Sequence, residues 1–327
     1  MRLAPLVLIA AVGLAAPAAR SEGPAPKLGF PLACQIGRDC EVQHYVDRDP
    51  GPGARDYHCG TRTYQGHNGI DIRLLDMAEQ RRGVEVLAAA AGRVARLRDG
   101  VPDVSVRAPG APSVVDIECG NGVVIDHADG WQTQYCHMAR GSLRVKVGDV
   151  VATGQPLGKV GLSGDTEFPH LHITVRHAGQ VVDPFAPAAP AGSCGAQAPL
   201  WTSAAQRALA YKAGAILNTG FAPGPVAMGA VEDASIGAVG PDAPALVAYV
   251  RAIGLDAGDA IDLALSGPDG RVLARTRQPV TRYKDQQLVF VGLRRPPGGW
   301  AKGTYAAVSR IERPGQPPLE RRFKVAL

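Results

Sequence analysis

Aromatic side chains are scarce in this sequence, while residues that interrupt regular structure are abundant. Phe, Trp and Tyr make up 5% of the 327 residues, against 40 Gly and 27 Pro. Gly and Pro punctuate local structure and mark turns. The composition therefore favours short strands joined by many turns over a bundle of long helices. The length is comfortable for two domains.

The sequence also lacks a basic cluster interleaved with aromatic residues, the pattern typical of nucleic-acid binding. Its formal charge is +5, and the Lys and Arg residues are scattered along the chain. Such a mild charge can help a protein stay near an anionic polymer such as the cell wall, but ordinary solubility charge is the favoured explanation. We expect no nucleic-acid partner.

Only one long apolar run occurs, at the amino terminus. Arg2 precedes the run Leu3 to Ala16, and Ala-Pro-Ala at 16–18 supplies small residues suited to signal-peptidase cleavage. The run is short for a membrane span. We therefore expect a signal peptide over residues 1–18, a secreted protein and no membrane span after cleavage. An uncleaved anchor is the alternative.

No Cys-x-x-Cys pair is present, which disfavours a cysteine-based zinc site. All six Cys lie in the mature chain before residue 200, and an even number in an exported protein predicts disulfides. Several pairings are compatible with six Cys. The pairings that we expect are Cys34–Cys40 across a small loop, Cys119–Cys136 across a hairpin and, from what remains, Cys59–Cys194.

Short β-branched runs punctuated by glycine follow one another from about residue 66 to 184. Such runs predict strands, and Asp129-Gly130 is a hairpin turn signal. The pattern indicates an antiparallel, mostly β domain. The predicted strands are 84–87, 92–97, 114–118, 122–126, 132–137 and 170–176, with two very short ones around a turn within 146–158.

A shift to Ala, Pro and Gly around residues 190–198 marks a domain boundary. Residues 203–217 predict a short helix with Ser203 as its N-cap. Later runs recur at the spacing of a β-sandwich, at 245–253, 260–265, 271–275, 287–291, 303–310 and 321–325. The expected organisation is a signal peptide (1–18), an irregular disulfide-tied segment (19–60), the main β domain (61–195), a linker with a short helix (196–225) and a smaller β-sandwich-like domain (226–327).

Three stretches of the main β domain contain residues suited to metal binding and proton transfer. His67 and Asp71 lie four positions apart, His137 ends a β-type run, and His170 and His172 are separated by one residue. Alternate residues of a strand face the same side, so the last two imidazoles reach one place. Two His and a carboxylate suit zinc and leave a position open for water. The other His residues can transfer protons near neutral pH.

Taken in order, and with Gly-Leu-Ser-Gly at 161–164 before the His pair, these motifs resemble those of the lysostaphin-type (LytM-like) zinc metalloendopeptidases over roughly residues 60–185. The resemblance implies a mainly β fold, with an antiparallel β-sheet LytM-like metallopeptidase domain ahead of the smaller sandwich. It implies that His67, Asp71 and His172 hold one zinc ion. It also implies that His137 and His170 are catalytic and act on the water and the oxyanion.

The resemblance further implies a peptidoglycan hydrolase that cuts peptide stems or crosslinks through a metal-activated water. Cys136 departs from the small residue that relatives commonly have before the catalytic His, and a disulfide beside the strand explains it. The signal peptide and disulfides favour the periplasm.

Two other functions remain as alternatives. One is a catalytically silent or latent regulator of other cell-wall hydrolases; the presence of all five groups favours catalysis over it. The other is a binding module in which the carboxy-terminal domain supplies the main function. That domain shows no cluster of site residues and is a candidate surface for a regulatory partner.

The remaining histidines lack a motif. His127 precedes a turn and is expected to be structural, whereas His44, His58 and His177 are expected to be solvated. Tyr135 is expected to be a strand residue that packs rather than one that binds substrate.

Two segments and one serine complete the candidates. Residues 99–112 read as an insertion that shapes a groove wall, and residues 31–60 as a segment that could cover the metal as a latency device. Ser163 lies outside a Gly-x-Ser-x-Gly elbow, which disfavours a serine hydrolase. The nearby glycines lack the Gly-Lys-Ser/Thr of a phosphate loop.

Overall fold

The computed structural model describes residues 24–327, which form a mainly antiparallel β structure. The predicted signal peptide, residues 1–18, lies outside the described residues. Within residues 24–327, no helix has the length and apolar character needed to cross a bilayer.

The amino-terminal part, residues 24–214, contains ten strands, two short α-helices and a 3-10 turn (Ala128–Gly130) among its described elements. They are β1 (Cys40–His44), β2 (Ile70–Leu74), α1 (Met77–Arg82), β3 (Glu85–Leu87), β4 (Gly92–Arg98), β5 (Asn121–Asp126), β6 (Trp131–Met138), β7 (Val150–Val151), β8 (Pro156–Lys159), β9 (His170–His177), β10 (Gln180–Val181) and α2 (Ser203–Ala208).

One eight-stranded sheet dominates this part. Its strand order is β1-β2-β9-β6-β5-β4-β7, with β10 paired to β9, while β3 and β8 form a separate two-stranded sheet. Strand alternation gives the large sheet one apolar face. Ile70 and Ile72 of β2 lie opposite Ile173 and Leu171 of β9, and all four are buried in the main core. The opposite face is therefore available to polar side chains.

Most predicted strands of this part are confirmed, but the strand predicted at 114–118 is wrong. Those residues form turns. Asp116 has a left-handed φ of 65°, and Val115 is 72% exposed. The β-branched run therefore has no apolar surface to pack against. It serves as a loop that leads to Cys119.

The carboxy-terminal part, residues 215–327, contains seven strands and one short helix among its described elements. They are β11 (Ala215–Ala222), α3 (Met228–Glu232), β12 (Ala245–Leu255), β13 (Ala260–Ser266), β14 (Val272–Pro279), β15 (Lys284–Arg294), β16 (Thr304–Glu312) and β17 (Leu319–Ala326).

These strands form two antiparallel sheets with a common core. One sheet has the order β11-β12-β15 and the other β14-β13-β16-β17. Leu246 and Val250 of β12 belong to the same buried cluster as Leu263 of β13 and Tyr305 of β16. Two sheets that share one apolar core have the architecture of a small β-sandwich. The six strands predicted from residue 245 onward are all present.

The helix predicted at 203–217 is shorter than expected. Helix α2 ends at Ala208, and its N-cap is Thr202, whose side chain accepts from Ala205 N. Residues 215–222 instead form β11, which pairs with β12. Ala215, Leu217 and Ile253 bury one another in a small cluster. Strand pairing therefore overrides the mixed helical spacing of this stretch.

A buried ion cluster joins the two parts of the chain. Glu232 Oε2 accepts from Arg73 Nη2 at 2.8 Å and also from Arg251 Nη1. The side chains of both arginines are fully buried. Arg251 also donates to the carbonyl oxygen of Leu75. One carboxylate thus balances two guanidinium groups that have no access to water.

We expect Glu232→Ala to lower the free energy of unfolding by about 3–5 kcal/mol, because it leaves buried charges without their partner. Chemical denaturation with an unchanged m-value measures this loss. Glu312→Ala is the matched control, because Glu312 pairs with Arg277 at the surface, where ion pairs contribute little. Equal stability of the Glu232→Ala variant and the wild type would contradict the role assigned to this cluster.

The three expected disulfides are all present, and no cysteine in the described chain is free. Cys119–Cys136 ties the loop before β5 to β6. Cys59–Cys194 closes a separation of 135 residues and Cys34–Cys40 one of only 6. Disulfides persist in oxidising compartments, which suits an extracellular or periplasmic protein.

The two bridges that differ most in loop length should differ in stabilisation. A chain-entropy account predicts about 5 kcal/mol for the Cys59–Cys194 loop and about 2 kcal/mol for the Cys34–Cys40 loop. Denaturation of the Cys59→Ser/Cys194→Ser and Cys34→Ser/Cys40→Ser variants, each compared with the oxidised wild type, measures both. The reverse order of losses would refute loop closure as the main contribution.

Candidate metal centre

The pairing register of β2 with β9 brings three candidate site residues to one face of the sheet. Asp71 lies directly opposite His172, and Arg73 lies opposite His170. Because alternate residues share a face, Asp71, His170 and His172 all project away from the apolar core. This face carries the candidate site.

His137 reaches the same site through a β-bulge. Val123 of β5 lies opposite Tyr135, but Asn121 lies opposite Met138, so β6 contains one extra residue there. His137 has a φ of 61°, a left-handed conformation that is uncommon outside glycine. A bulge redirects side chains. Tyr135 and Met138 therefore both enter the core, while the His137 ring lies 4.5 Å from the ring of His170, centroid to centroid.

Three candidate ligand atoms converge beside these rings. His67 Nε2 lies 3.2 Å from Asp71 Oδ1 and 3.2 Å from His172 Nδ1, and the last two atoms are 2.8 Å apart. Ligands at about 2.0–2.2 Å from a tetrahedral zinc lie about 3.3–3.6 Å from one another. The three atoms are thus slightly closer together than the ligands of a bound ion, and a small outward movement would admit one.

Hydrogen bonds on the far sides of the two rings determine which nitrogens carry protons. His67 Nδ1 donates to the carbonyl oxygen of Tyr45 at 2.6 Å, and His172 Nε2 donates to Asn68 Oδ1 at 3.0 Å. In a neutral imidazole the other nitrogen is then an acceptor. His67 Nε2, His172 Nδ1 and Asp71 Oδ1 are therefore three acceptors facing one another. Three acceptors this close repel one another and would be stabilised by a cation between them, so these residues fit a metal ion.

Burial and neighbouring charges agree with this arrangement. Burial lowers the pKa of His172 below its ordinary value and keeps the ring neutral. Burial by itself would raise the pKa of Asp71. The neighbouring His67 and His170 outweigh burial, so the pKa of this carboxyl lies well below its usual range. The cluster thus combines a neutral His172 imidazole with an ionised Asp71 carboxylate, protonation states that suit metal ligands.

His137 and His170 also present free ring nitrogens. His137 Nδ1 donates to the carbonyl oxygen of Ser163 at 2.8 Å, and His170 Nδ1 donates to that of Phe168 at 3.0 Å. Each therefore offers its Nε2 as an acceptor. Burial, followed by the nearby His170 and His172, places the pKa of His137 well below its ordinary value. His170 Nε2 is 3.5 Å from Asp71 Oδ1, farther than either ring of the converging set.

His44 is a site residue that the sequence analysis misplaced. It was expected to be solvated, but it is only 7% exposed, and its Nδ1 lies 3.1 Å from Asp71 Oδ2. Its Nε2 lies 3.1 Å from Asp285 Oδ1 in the carboxy-terminal part. Burial alone would lower the pKa of His44, but the hydrogen bonds to Asp285 and Asp71 outweigh it and raise the pKa. Nothing in its immediate sequence marks this role, because no motif residue lies nearby.

The candidate ligands open into a cleft of about 730 Å³. Both parts of the chain line it, the carboxy-terminal part through Met228 and residues 282–286. From the stretch 99–112, Arg107 lines the cleft and pairs with Glu167 at 2.6 Å. Residues 40–44, within the segment considered for latency, form strand β1 of the main sheet.

Other singled-out residues have structural roles. Tyr135 is fully buried, and its hydroxyl accepts from Ala89 N at 2.8 Å. His127 Nδ1 contacts the carbonyl oxygen of Ala91 at 2.7 Å, as expected of a structural residue. His58 is exposed, as predicted. His177 is only partly exposed, because its ring stacks on Trp131.

Comparison with known proteins finds a family match within the amino-terminal part. Residues 65–184 match peptidase family M23. This range includes all five candidate site residues and all the main-sheet strands except β1. It ends before the carboxy-terminal sandwich begins.

Two kinds of curated relative match part of the chain. The chain is 36% identical to the cell division protein DipM of Caulobacter vibrioides over 129 residues, which are 39% of this chain and 17% of DipM. It is 39% identical to the DD-carboxypeptidase/endopeptidase Mpg of Neisseria meningitidis serogroup B over 71 residues, which are 22% of this chain and 16% of Mpg. The matched region spans less than a fifth of either relative.

Solved structures provide further matches. The catalytic domain of the prophage-encoded M23 protein EnpA from Enterococcus faecalis is 24% identical, with 50% of this chain and 98% of that chain covered and a TM-score of 0.33. The catalytic domain of lysostaphin from Staphylococcus simulans is 22% identical, with 43% and 85% covered and a TM-score of 0.28.

The space beside His172 gives a direct test of the converging geometry. A Cβ added at Gly69 would lie 2.5 Å from His172 Nε2 and 2.7 Å from the carbonyl oxygen of Ile173. We expect Gly69→Ala to displace the His172 ring and weaken divalent-metal binding about 10-fold or more. A metal-competition titration measures this. Gly224→Ala is the control, because a Cβ there meets nothing within 4 Å. Equal metal affinity of the two variants would argue against the site.

Proposed function

We propose, from the match of residues 65–184 to peptidase family M23, that this protein is a zinc metalloendopeptidase that hydrolyses peptide bonds of peptidoglycan stems or crosslinks. His67, Asp71 and His172 hold one zinc ion per chain. His137 and His170 are the catalytic histidines.

The observation that carries the proposal is the convergence of three acceptor atoms, 2.8–3.2 Å apart, from His67, Asp71 and His172. Two neutral imidazoles and a carboxylate are a ligand set that zinc prefers, and three protein ligands leave a coordination position for catalysis. The same set supports His172 over His170 as the third ligand, because His170 Nε2 is the more distant nitrogen.

The roles of the remaining histidines follow from their free nitrogens. Zinc in such a site supplies Lewis acidity, which polarises a peptide carbonyl and makes water a stronger acid. His137, kept neutral by burial, has the form needed to accept a proton at Nε2. His170, oriented by Phe168, lies beside it and can donate a hydrogen bond to the developing oxyanion once it is protonated at Nε2.

The setting agrees with a peptidoglycan substrate. The three disulfides suit the periplasm. The cleft is open, and charged side chains of both signs line it, such as Arg107 and Glu167. DipM and Mpg are named as a cell division protein and a DD-carboxypeptidase/endopeptidase, activities consistent with action on cell wall. We assign residues 61–195 to the peptidase domain and 226–327 to a sandwich domain, which is the candidate site for a regulatory partner.

The proposal predicts separate losses for ligand and catalytic variants. The mature wild type should contain about one zinc ion per chain and release new amino termini from purified peptidoglycan. His172→Ala should lose both metal and cleavage. His170→Ala should retain most of the metal and lose about 10²- to 10⁴-fold in turnover. Elemental analysis and muropeptide chromatography measure the two properties.

His177→Ala is the matched control, since this histidine lies on the same strand with its ring stacked on Trp131. It should retain both properties. A wild-type chain that binds zinc but cleaves no muropeptide would favour a latent or regulatory protein. A wild-type chain without affinity for zinc would refute the proposed function.

A further inference from the structure

The carboxy-terminal part reaches the candidate metal centre through one side chain. Asp285 Oδ1 lies 3.1 Å from His44 Nε2, and His44 Nδ1 lies 3.1 Å from Asp71 Oδ2. Building on the proposed function, we propose that Asp285 is a positioning residue for the metal site: through His44 it holds Asp71 in the orientation that directs Oδ1 at the ion. The carboxy-terminal sandwich thereby completes the site of the amino-terminal part.

The two carboxylate oxygens of Asp71 have different partners. Oδ1 faces His67 Nε2 and His172 Nδ1, whereas Oδ2 contacts His44. The terminal torsion of an aspartate is broad, so an unrestrained carboxylate exchanges orientations readily. The bond to His44 removes that freedom and leaves Oδ1 as the single oxygen aimed at the ion. Outer partners of this kind orient metal ligands in many sites.

A β-bulge in β1 makes the contact possible. Val42 lies opposite Ile72, but His44 lies opposite Asp71, so Gln43 is the extra residue between them. The bulge turns the imidazole of His44 to the site face. Without it, regular pairing would place Gln43 opposite Asp71.

Two further contacts hold His44 and the approaching segment. The ring of Tyr64 packs edge-on against His44 with centroids 5.2 Å apart. Gln43 Nε2 donates to the backbone carbonyl oxygen of Asp285 at 3.1 Å. This bond does not depend on the Asp285 side chain. Substitution of that side chain therefore leaves the segment attached.

A purely structural role for Asp285 is a weaker explanation. Its side chain is 60% exposed, whereas that of His44 is only 9% exposed. Exposed charges contribute little to stability through ion pairing. The Asp285 carboxylate accepts a hydrogen bond from His44 across the two parts of the chain, and the Tyr283 hydroxyl lies beside it. Its effect should therefore appear in the metal site more than in the stability of the chain.

The test measures metal binding by the full chain, independently of cleavage. We expect Asp285→Ala to weaken Zn²⁺ affinity about 10-fold, measured by chelator competition, and to alter the visible spectrum of the Co²⁺-substituted protein. Asp285→Asn should lose less, because its amide oxygen still accepts from His44. Asp242→Ala is the control in the same part, since Asp242 is 91% exposed and pairs with Arg295. It should change neither affinity nor spectrum.

A double-mutant cycle separates positioning from long-range charge. If Asp285 acts through His44, Asp285→Ala should have no further effect in a His44→Ala background. The same loss in both backgrounds would overturn positioning in favour of a general charge effect. Wild-type affinity and an unchanged Co²⁺ spectrum in Asp285→Ala would overturn it as well.

Failure of this inference and failure of the proposed function have different signatures. A wild-type chain that binds zinc without cleaving peptidoglycan refutes the proposed function alone, and a coupled loss of affinity in the cycle would still support positioning. A wild-type chain that cleaves, combined with an unaltered Asp285→Ala variant, refutes positioning alone. A chain that binds no zinc refutes both.

Discussion

The register between β2 and β9 is the constraint on which the site depends. It places Asp71 opposite His172 and, on the other face, Ile72 opposite Leu171. A slip of one residue would exchange the two faces, burying a carboxylate and an imidazole in the core and exposing the apolar residues. The apolar core therefore specifies the candidate metal site indirectly. Packing on one face of the sheet determines which donor atoms meet on the other.

Two of the bulges in this otherwise regular sheet each bring a histidine to the site. The extra residue in β6 permits His137 to leave the core alternation, and the one in β1 brings His44 opposite Asp71. The left-handed φ of His137 is a local strain that the surrounding sheet and the Cys119–Cys136 bridge hold in place. Regular strands supply the proposed ligands His172 and Asp71, and irregular ones supply the histidines beside them.

This distinction explains how far the sequence could predict the structure. The alternation of β9 is visible in the sequence, so the sequence predicts that His170 and His172 lie on the same face of the strand. Most of the strands could be predicted in the same way. A bulge changes alternation without a sequence signal of its own, so His44 was expected in solvent. Its partner Asp285 is 241 positions away, beyond any local pattern. The mistaken strand at 114–118 and the overlong helix from Ser203 have a related cause: burial and pairing with distant strands decide the state of such ambiguous runs.

The contact between the two parts of the chain is polar, which suits a structure in which the two parts must keep one defined relative orientation. Apolar surfaces can stay buried over a range of relative positions, whereas the Glu232 carboxylate satisfies Arg73 and Arg251 only in a narrow one. Any displacement would leave buried charges unpaired, which is far less favourable than a loosened apolar contact. A narrow orientation matters when a side chain of one part must meet a ring of the other at hydrogen-bond distance. Asp285 and His44 have that requirement, so the buried cluster and the contact at the candidate metal site are two consequences of the same fixed arrangement.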